Sequence, residues 1–300
     1  MSLFTESYLN NRKRNEFMVF EDLIGPIGAK RHPLKLFGIG IFFSFVASAF
    51  SLWIFKQEAS LVMVFLVVLM TMPLMYFTLR EEEEEDWTID DEKSIIVEHS
   101  KAIKFLLFLF LGFVIGFALI YILLPDNMVH SLFGVQLNTI ENINSNVISG
   151  RITAMDAFVL ILINNLKVLF FCLIFAFFFG AGSIFVLAWN ASVISAAVGT
   201  YFSNGLVKYS LDSAMSNLFL SFQLFIAGIM RYMIHGVFEI GGYFAGALAG
   251  GIISMALVNH GIKSKGFKRI AIDVSLLVLV GIGLLVIGTI IEVFVTPALF

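Results

Sequence analysis

Long apolar runs restrict the fold of this chain more than any other feature. Seven stretches are predominantly apolar over about 20 or more residues, the length a helix needs to cross roughly 30 Å of hydrocarbon. We therefore predict an all-α, polytopic membrane helical bundle with about seven transmembrane helices. The predicted spans are Leu34–Phe55, Ser60–Leu79, Ile103–Leu124, Ala157–Leu187, Ser213–Ile234, Phe238–Val258 and Ile272–Val295.

One further apolar stretch, Ala191–Phe202, is too short to span. It lies between Asn190 and an Asn204-Gly205 pair that is typical of a turn. We predict a short re-entrant or interfacial helix here.

The composition agrees with a membrane protein and excludes several other classes. Hydrophobic residues make up 59% of the chain and charged residues 14%, which excludes an ordinary soluble enzyme, a disordered chain and a basic nucleic-acid binder. The single cysteine, Cys172, excludes an intrachain disulfide and a thiolate metal site. The partner that the composition implies is the lipid bilayer, with no role for nucleic acid.

Basic residues predict the orientation, because short cytoplasmic loops collect Lys and Arg. With a cytoplasmic N-terminus and seven spans, 15 of the 19 basic residues fall inside and the C-terminus falls outside. The inner residues are Arg12, Lys13, Arg14, Lys30, Arg31, Lys35, Arg80, Lys93, Lys101, Lys104, Lys208, Lys263, Lys265, Lys268 and Arg269. We expect a multi-pass protein of the cell membrane.

The spans and loops divide the chain into four parts. Residues 1–33 form a cytoplasmic N-terminal segment, and residues 34–79 form a transmembrane hairpin. Residues 80–102 are predicted to be an acidic cytoplasmic loop that contains the run Glu81–Asp86. Such a run favours a solvated, self-repelling loop, and docking of a cation or partner is the alternative. Residues 103–300 are predicted to form a five-helix core.

The long outer loop is predicted to contain a surface helix. Apolar residues recur at helical spacing between Asn138 and Ile152, and Asn138 lies three residues before Glu141 in a capping pattern. We expect this amphipathic helix to lie on the membrane and partly cover the polar residues described next. Thr153 and Asp156 form a second capping pattern ahead of the fourth span.

Polar residues in the spans indicate a functional site, because ionisable groups are costly in a bilayer. Four helices bring such residues to a similar depth in the outer half: Arg231, His235, Glu239, Glu292, Asn164, Asn165 and Lys167. We expect a network in which Arg231 and Lys167 neutralise the two glutamates, and interfacial snorkelling is the alternative. One histidine and two carboxylates could ligate a metal, but adjacent cations oppose this, so no metal or other cofactor is expected.

Small residues mark the sixth predicted span. Gly242, Gly246 and Gly250 recur at spacing four, which predicts a helix face that another helix approaches closely. A gate that slides on this smooth face is the alternative.

The sequence His235-Gly236-Val237-Phe238-Glu239 resembles the His-Gly-x-x-Glu signature of the stage II sporulation protein M family of integral membrane proteins. The pairs Asn164-Asn165 and Trp189-Asn190 and the ending Ile291–Pro297 are also similar, so the resemblance covers roughly residues 103–300. The front hairpin is similar to that of archaeal members. Many relatives have proline where this chain has Ile234.

The resemblance implies a role in a membrane complex. In spore-forming bacteria the family member acts with two peptidoglycan hydrolases to drive engulfment. We therefore expect a membrane scaffold or assembly factor for envelope remodelling, without catalysis of its own, that binds a partner protein or forms a homo-oligomer. The alternative is a small-molecule or ion transporter or channel that uses the polar residues of the outer half. An intramembrane hydrolase is the least favoured class.

Overall fold

The computed structural model describes residues 33–88, 92–147, 153–179, 183–211 and 215–299, and its regular secondary structure in these ranges is helical. Seven of the described helices are long and apolar enough to cross a membrane, which confirms the predicted class. The elements are α1 Pro33–Ile54, α2 Ala59–Thr88, α3 Glu92–Leu123, α4 Asp126–Val147, α5 Ala154–Phe179, α6 Ile184–Lys208, α7 Leu218–His260, α8 Lys265–Ile290, a π-helical turn Ile291–Val295 and α9 Thr296–Leu299. The predicted segment 1–33 lies outside the described residues except for Pro33.

The predicted re-entrant helix is wrong, because Ala191–Phe202 belongs to α6, which has 25 residues and the length of a full span. Asn190 does not end the preceding helix, since its side-chain amide donates to the Val186 carbonyl at 2.7 Å, one turn back. Gly205 does not end α6 either, and it packs against the side chain of Leu224. The fourth predicted span is correspondingly too long, since α5 ends at Phe179.

The fifth and sixth predicted spans form one continuous helix, α7, with 43 residues and a length of about 65 Å. Asn217 caps its start by accepting from the Leu220 N–H at 3.1 Å, and Gly261, with φ +71°, follows its end. Gly236 lies within the helix and does not break it. Because α6 adds one span and α7 joins two predicted spans into one, the total remains seven as predicted.

Contacts between helices fix their relative directions. Asn165 and Leu173 of α5 lie beside Glu239 and Gly250 of α7 in that order, so α5 and α7 run in parallel. The helix between them, α6, runs antiparallel to α7, since Gly205 lies near Leu224 and Tyr201 lies near Gly228. A chain that enters α5 and α7 from the same side must return through α6, so the geometry requires α6 to cross fully.

Close backbone approach holds α7 at the centre of the bundle, where all residues from 241 to 250 are buried. A Cβ added at Gly242 would meet the Gly281 carbonyl oxygen of α8 at 2.9 Å. One at Gly246 would meet the Leu169 side chain at 2.5 Å, and one at Gly250 would overlap the Leu173 carbonyl oxygen. Both α5 and α8 therefore pack against α7 at distances that only a residue without a side chain permits.

Helix α4 corrects the predicted surface helix. It begins at Asp126 rather than at Asn138, and it packs chiefly against α6, α2 and α1 rather than covering the outer polar residues. Gln136 is fully buried, accepts from Ser60 Oγ at 2.6 Å and donates to Ser192 Oγ at 3.1 Å. These bonds tie α4 into the bundle, which periodicity alone does not indicate. Residues 148–152 lie outside the described residues.

The predicted cap of α5 is confirmed. The Thr153 hydroxyl and backbone N–H both donate to Asp156 Oδ2, at 2.6 and 3.0 Å. The Asp156 N–H in turn donates to Thr153 Oγ1 at 3.2 Å, which completes a reciprocal capping box.

The segment 80–102 is not a loop, since α2 continues to Thr88 and α3 begins at Glu92. Glu82, within the acidic run, is fully buried and bonds to His99 Nδ1 at 2.7 Å. The expectation of a solvated acidic loop is therefore wrong for this residue. A carboxylate that pairs with an imidazole across two packed helices has a reason to leave water.

Labelling of introduced cysteines tests whether α6 crosses the membrane. In a Cys172→Ala background, Tyr209→Cys and Lys263→Cys place exposed thiols at the ends of α6 and α7. A membrane-impermeant maleimide added to intact cells should label only one of the two, because α7 separates them by a full crossing. Lysed cells, in which both should react, serve as the control. Equal labelling of both sites in intact cells would return Ala191–Phe202 to a re-entrant segment.

Substitution of single glycines tests the close packing of α7. Gly250→Ala should lower the free energy of unfolding by about 1–3 kcal/mol, because the new methyl group overlaps the α5 backbone. The matched control is Gly283→Ala in α8, where an added Cβ meets nothing within 4 Å. Thermal unfolding of the purified variants in detergent measures the difference. Equal melting temperatures for the two variants would contradict the packing argument.

Candidate functional site

Three ionisable side chains from α7 and from the end of α8 meet inside the bundle. His235 and Glu239 lie four residues apart on α7 and so share one face of the helix. Glu292 comes from the π-helical turn Ile291–Val295 that follows α8. One potential ligand atom from each of the three lies within 4.8 Å of the others. We call His235, Glu239 and Glu292 the histidine–carboxyl cluster.

The two carboxyl groups of the cluster lie close together. A carboxylate oxygen of Glu239 lies within 4.8 Å of one of Glu292, and both side chains are partly buried. Two ionised carboxylates at this distance repel each other strongly in a low-dielectric interior. A proton or a cation bound between them would relieve this repulsion.

Three neutral side chains hold the cluster in position. Asn165 of α5 donates from Nδ2 to Glu239 Oε1 at 2.6 Å, and its Oδ1 accepts from the Tyr243 hydroxyl at 2.9 Å. Thr296 Oγ1 lies 3.3 Å from His235 Nδ1 and donates to the Ile291 carbonyl at 3.2 Å. The orientation of each α7 side chain is thus set by a neighbouring element.

Sequence reasoning missed two of these neutral residues. Tyr243 follows Glu239 by four residues, and Thr296 follows Glu292 by four, so both continue the spacing that identified the cluster. Extending that spacing by one helical turn would have found them.

The structure separates the predicted cations from the carboxyl groups, so the expected neutralisation by Arg231 and Lys167 is wrong. The Arg231 guanidinium lies 5.6 Å from the centre of the Tyr201 ring on α6, a cation–π geometry. Lys167 and Asn164 are exposed on α5, whereas Asn165 is 5% exposed. Among the described residues, no ion pair joins Lys167 or Arg231 to Glu239 or Glu292.

The fold and the site define an integral membrane protein with seven candidate spans and an internal histidine–carboxyl cluster. The chain belongs to the stage II sporulation protein M (SpoIIM) family, whose family model matches residues 105–297, well over half of the chain. The hairpin of α1 and α2 lies outside the matched residues. Comparison with curated proteins and with solved structures gives no match.

Two neighbouring asparagines test the role of Asn165. Asn165→Leu should destabilise the protein by about 2–5 kcal/mol, because it leaves the Glu239 carboxylate and the Tyr243 hydroxyl without their partner inside the bundle. Asn164→Leu is the matched control, since Asn164 is exposed on the adjacent position of α5. Thermal unfolding in one detergent compares them. A control as damaging as Asn165→Leu would show that the loss does not come from the hydrogen bonds.

Proposed function

We propose that this protein is a non-enzymatic membrane scaffold or assembly factor of an envelope-remodelling complex. Its membership of the stage II sporulation protein M family supports this role. In this proposal the partner is another membrane protein of the complex or a second copy of the chain.

The packed interior next to the histidine–carboxyl cluster carries the proposal. Beyond Glu239, α7 continues with Gly242, Gly246 and Gly250, which lie against Gly281, Leu169 and Leu173. These contacts close the interface of α7 with α5 and α8 on the side toward His260. A polar cluster that is bordered by a close-packed apolar interface is suited to holding helices together. A continuous polar pathway through the bundle would instead favour transport.

We infer a cytoplasmic N-terminus and an outer C-terminus. The full crossing of α6 moves Lys208 to the outer side, and 14 of the 19 basic residues stay on the inner side. The positive-inside bias therefore survives the correction of α6. In this orientation the end of α8 and its π-helical turn face the outer half of the membrane.

Transport of a cation or small molecule is the second candidate function. The observation that favours it is the cluster itself, because ionisable residues inside a membrane most often serve function. A change of helix packing could release a proton or cation that is bound between Glu239 and Glu292.

Reconstitution distinguishes the two proposals. The purified chain in liposomes should give no more proton or Zn²⁺ flux than protein-free liposomes, as reported by enclosed pH- and zinc-sensitive dyes. Mild solubilisation of native membranes should then recover a membrane protein, or a second copy of the chain, in fixed stoichiometry. Flux that disappears in Glu239→Gln but persists in Asn164→Leu would favour transport instead. Recovery of the chain as a monomer without a partner would also contradict the scaffold proposal.

A further inference from the structure

The histidine–carboxyl cluster has the residue types and the spacing of a metal centre. Imidazole and carboxylate ligands together suit Zn²⁺ and other divalent first-row transition metals, whereas Mg²⁺ and Ca²⁺ prefer oxygen ligands alone. Ligands about 2.1 Å from a tetrahedral zinc ion lie roughly 3.4 Å apart. The potential ligand atoms here lie within 4.8 Å of one another, so shifts of about 1 Å would close them around an ion.

Charge balance favours a divalent ion at this place. The sequence argued against a metal because Arg231 and Lys167 were expected beside the carboxyl groups. The structure places Arg231 over Tyr201 and leaves Lys167 exposed, so these two cations do not oppose a metal ion at the cluster. Two carboxylates carry a charge of −2 when ionised, and a divalent cation neutralises both inside the bilayer, where an unbalanced charge is costly.

The residues around the cluster prepare its ligand atoms. Thr296 occupies Nδ1 of His235 and leaves Nε2 available for a metal, the arrangement by which neighbouring groups fix the tautomer of a ligating histidine. Asn165 holds Oε1 of Glu239 and leaves Oε2 available. Hydrogen bonds of this kind to ligating side chains are typical of metal centres.

The backbone at Glu292 is a further observation that points to a site. Glu292 lies in the π-helical turn Ile291–Val295, which interrupts an otherwise α-helical segment. Such turns are rare and frequently occur at functional sites. Here the wide turn carries the third ligand and leads directly into Thr296, which contacts the histidine.

We propose that His235, Glu239 and Glu292 bind one divalent transition-metal ion, with zinc as the first ion to test. This site goes beyond the scaffold role and does not depend on it. The ion joins α7 to the end of α8, and Asn165 extends the connection to α5. Water or a group of a partner protein completes the coordination, since three protein ligands leave a fourth position open.

Metal content and thermal stability test the proposal on the purified full-length chain. After treatment with a chelator and its removal, Zn²⁺ is added and bound metal is measured by mass spectrometry after equilibrium dialysis. The expected result is one zinc per chain, a saturable rise in melting temperature, and no effect of Mg²⁺ at the same concentrations. Co²⁺ in place of Zn²⁺ should give visible d–d absorption that is stronger than that of the hydrated ion, because the site holds fewer than six ligands.

Variants separate the site from adventitious binding. Glu292→Gln and His235→Ala should each weaken zinc binding by 100-fold or more, whereas Asn164→Leu should bind as the unmodified protein does. Thr296→Val keeps all three ligands and should weaken binding about 10–100-fold through the orientation of His235. This variant keeps the test decisive if a ligand variant fails to fold, because its readout is affinity in a protein with an intact ligand set.

Two results would overturn the proposal. Zinc binding that is equal in the unmodified protein and in Glu292→Gln would place the ion elsewhere. An unmodified protein that binds neither Zn²⁺ nor Co²⁺, and whose melting temperature responds to pH but not to either ion, would identify the cluster as a carboxyl pair that shares a proton.

Discussion

Backbone contact between α7 and its neighbours α5 and α8 is the interaction on which the rest of the structure depends. Lipid chains are as apolar as leucine, so burial of apolar surface alone does not drive membrane helices together. Gly242, Gly246 and Gly250 let α5 and α8 approach until main-chain atoms touch. At this short distance Asn165 reaches Glu239, and a bulkier interface would hold the two side chains apart. The hydrogen bonds of the site are therefore a consequence of the glycine face beside it.

The number of spans could be predicted from hydropathy, but their boundaries could not. The length of an apolar run is local information, and it identified the membrane spans within α1, α2, α3 and α8. The helix ends predicted within α6 and α7 were wrong because the polar residues and glycines there have compensating contacts in the folded protein. Those contacts cannot be read from the sequence. The Asn190 side chain donates a hydrogen bond to a carbonyl of its own helix. Gly236 lies inside α7, which is packed against neighbouring helices. Polar residues and glycines end helices only where nothing else compensates for them.

The site shows the same limit in a different form. A spacing of four residues correctly placed His235 and Glu239 on one face, because each such step turns the helix by only about 40°. Two steps accumulate to about 80°, so Arg231 faces α6 and its Tyr201 ring while Glu239 faces α5. The partner of each side chain depends on which helix lies opposite its face of α7, and this can be known only from the folded structure. The expectation of solvent exposure for Glu82 was wrong for the same reason, since its partner His99 lies on another helix.

Gly288 shows that the cluster and the helix packing form one unit. A Cβ at Gly288 of α8 would come within 2.8 Å of Glu239 Cγ, so this glycine provides the space in which the carboxylate turns toward Glu292. Gly236, in the middle of the His-Gly-x-x-Glu sequence, has only the Met233 side chain near an added Cβ, at 3.7 Å or more. The two ends of that sequence supply the potential ligand atoms of the cluster, and a glycine on the opposite helix makes room for them. A change in how α8 packs on α7 therefore alters the distance between the carboxyl groups directly. A partner that binds at the end of α8 and a cation that binds the cluster would consequently influence each other.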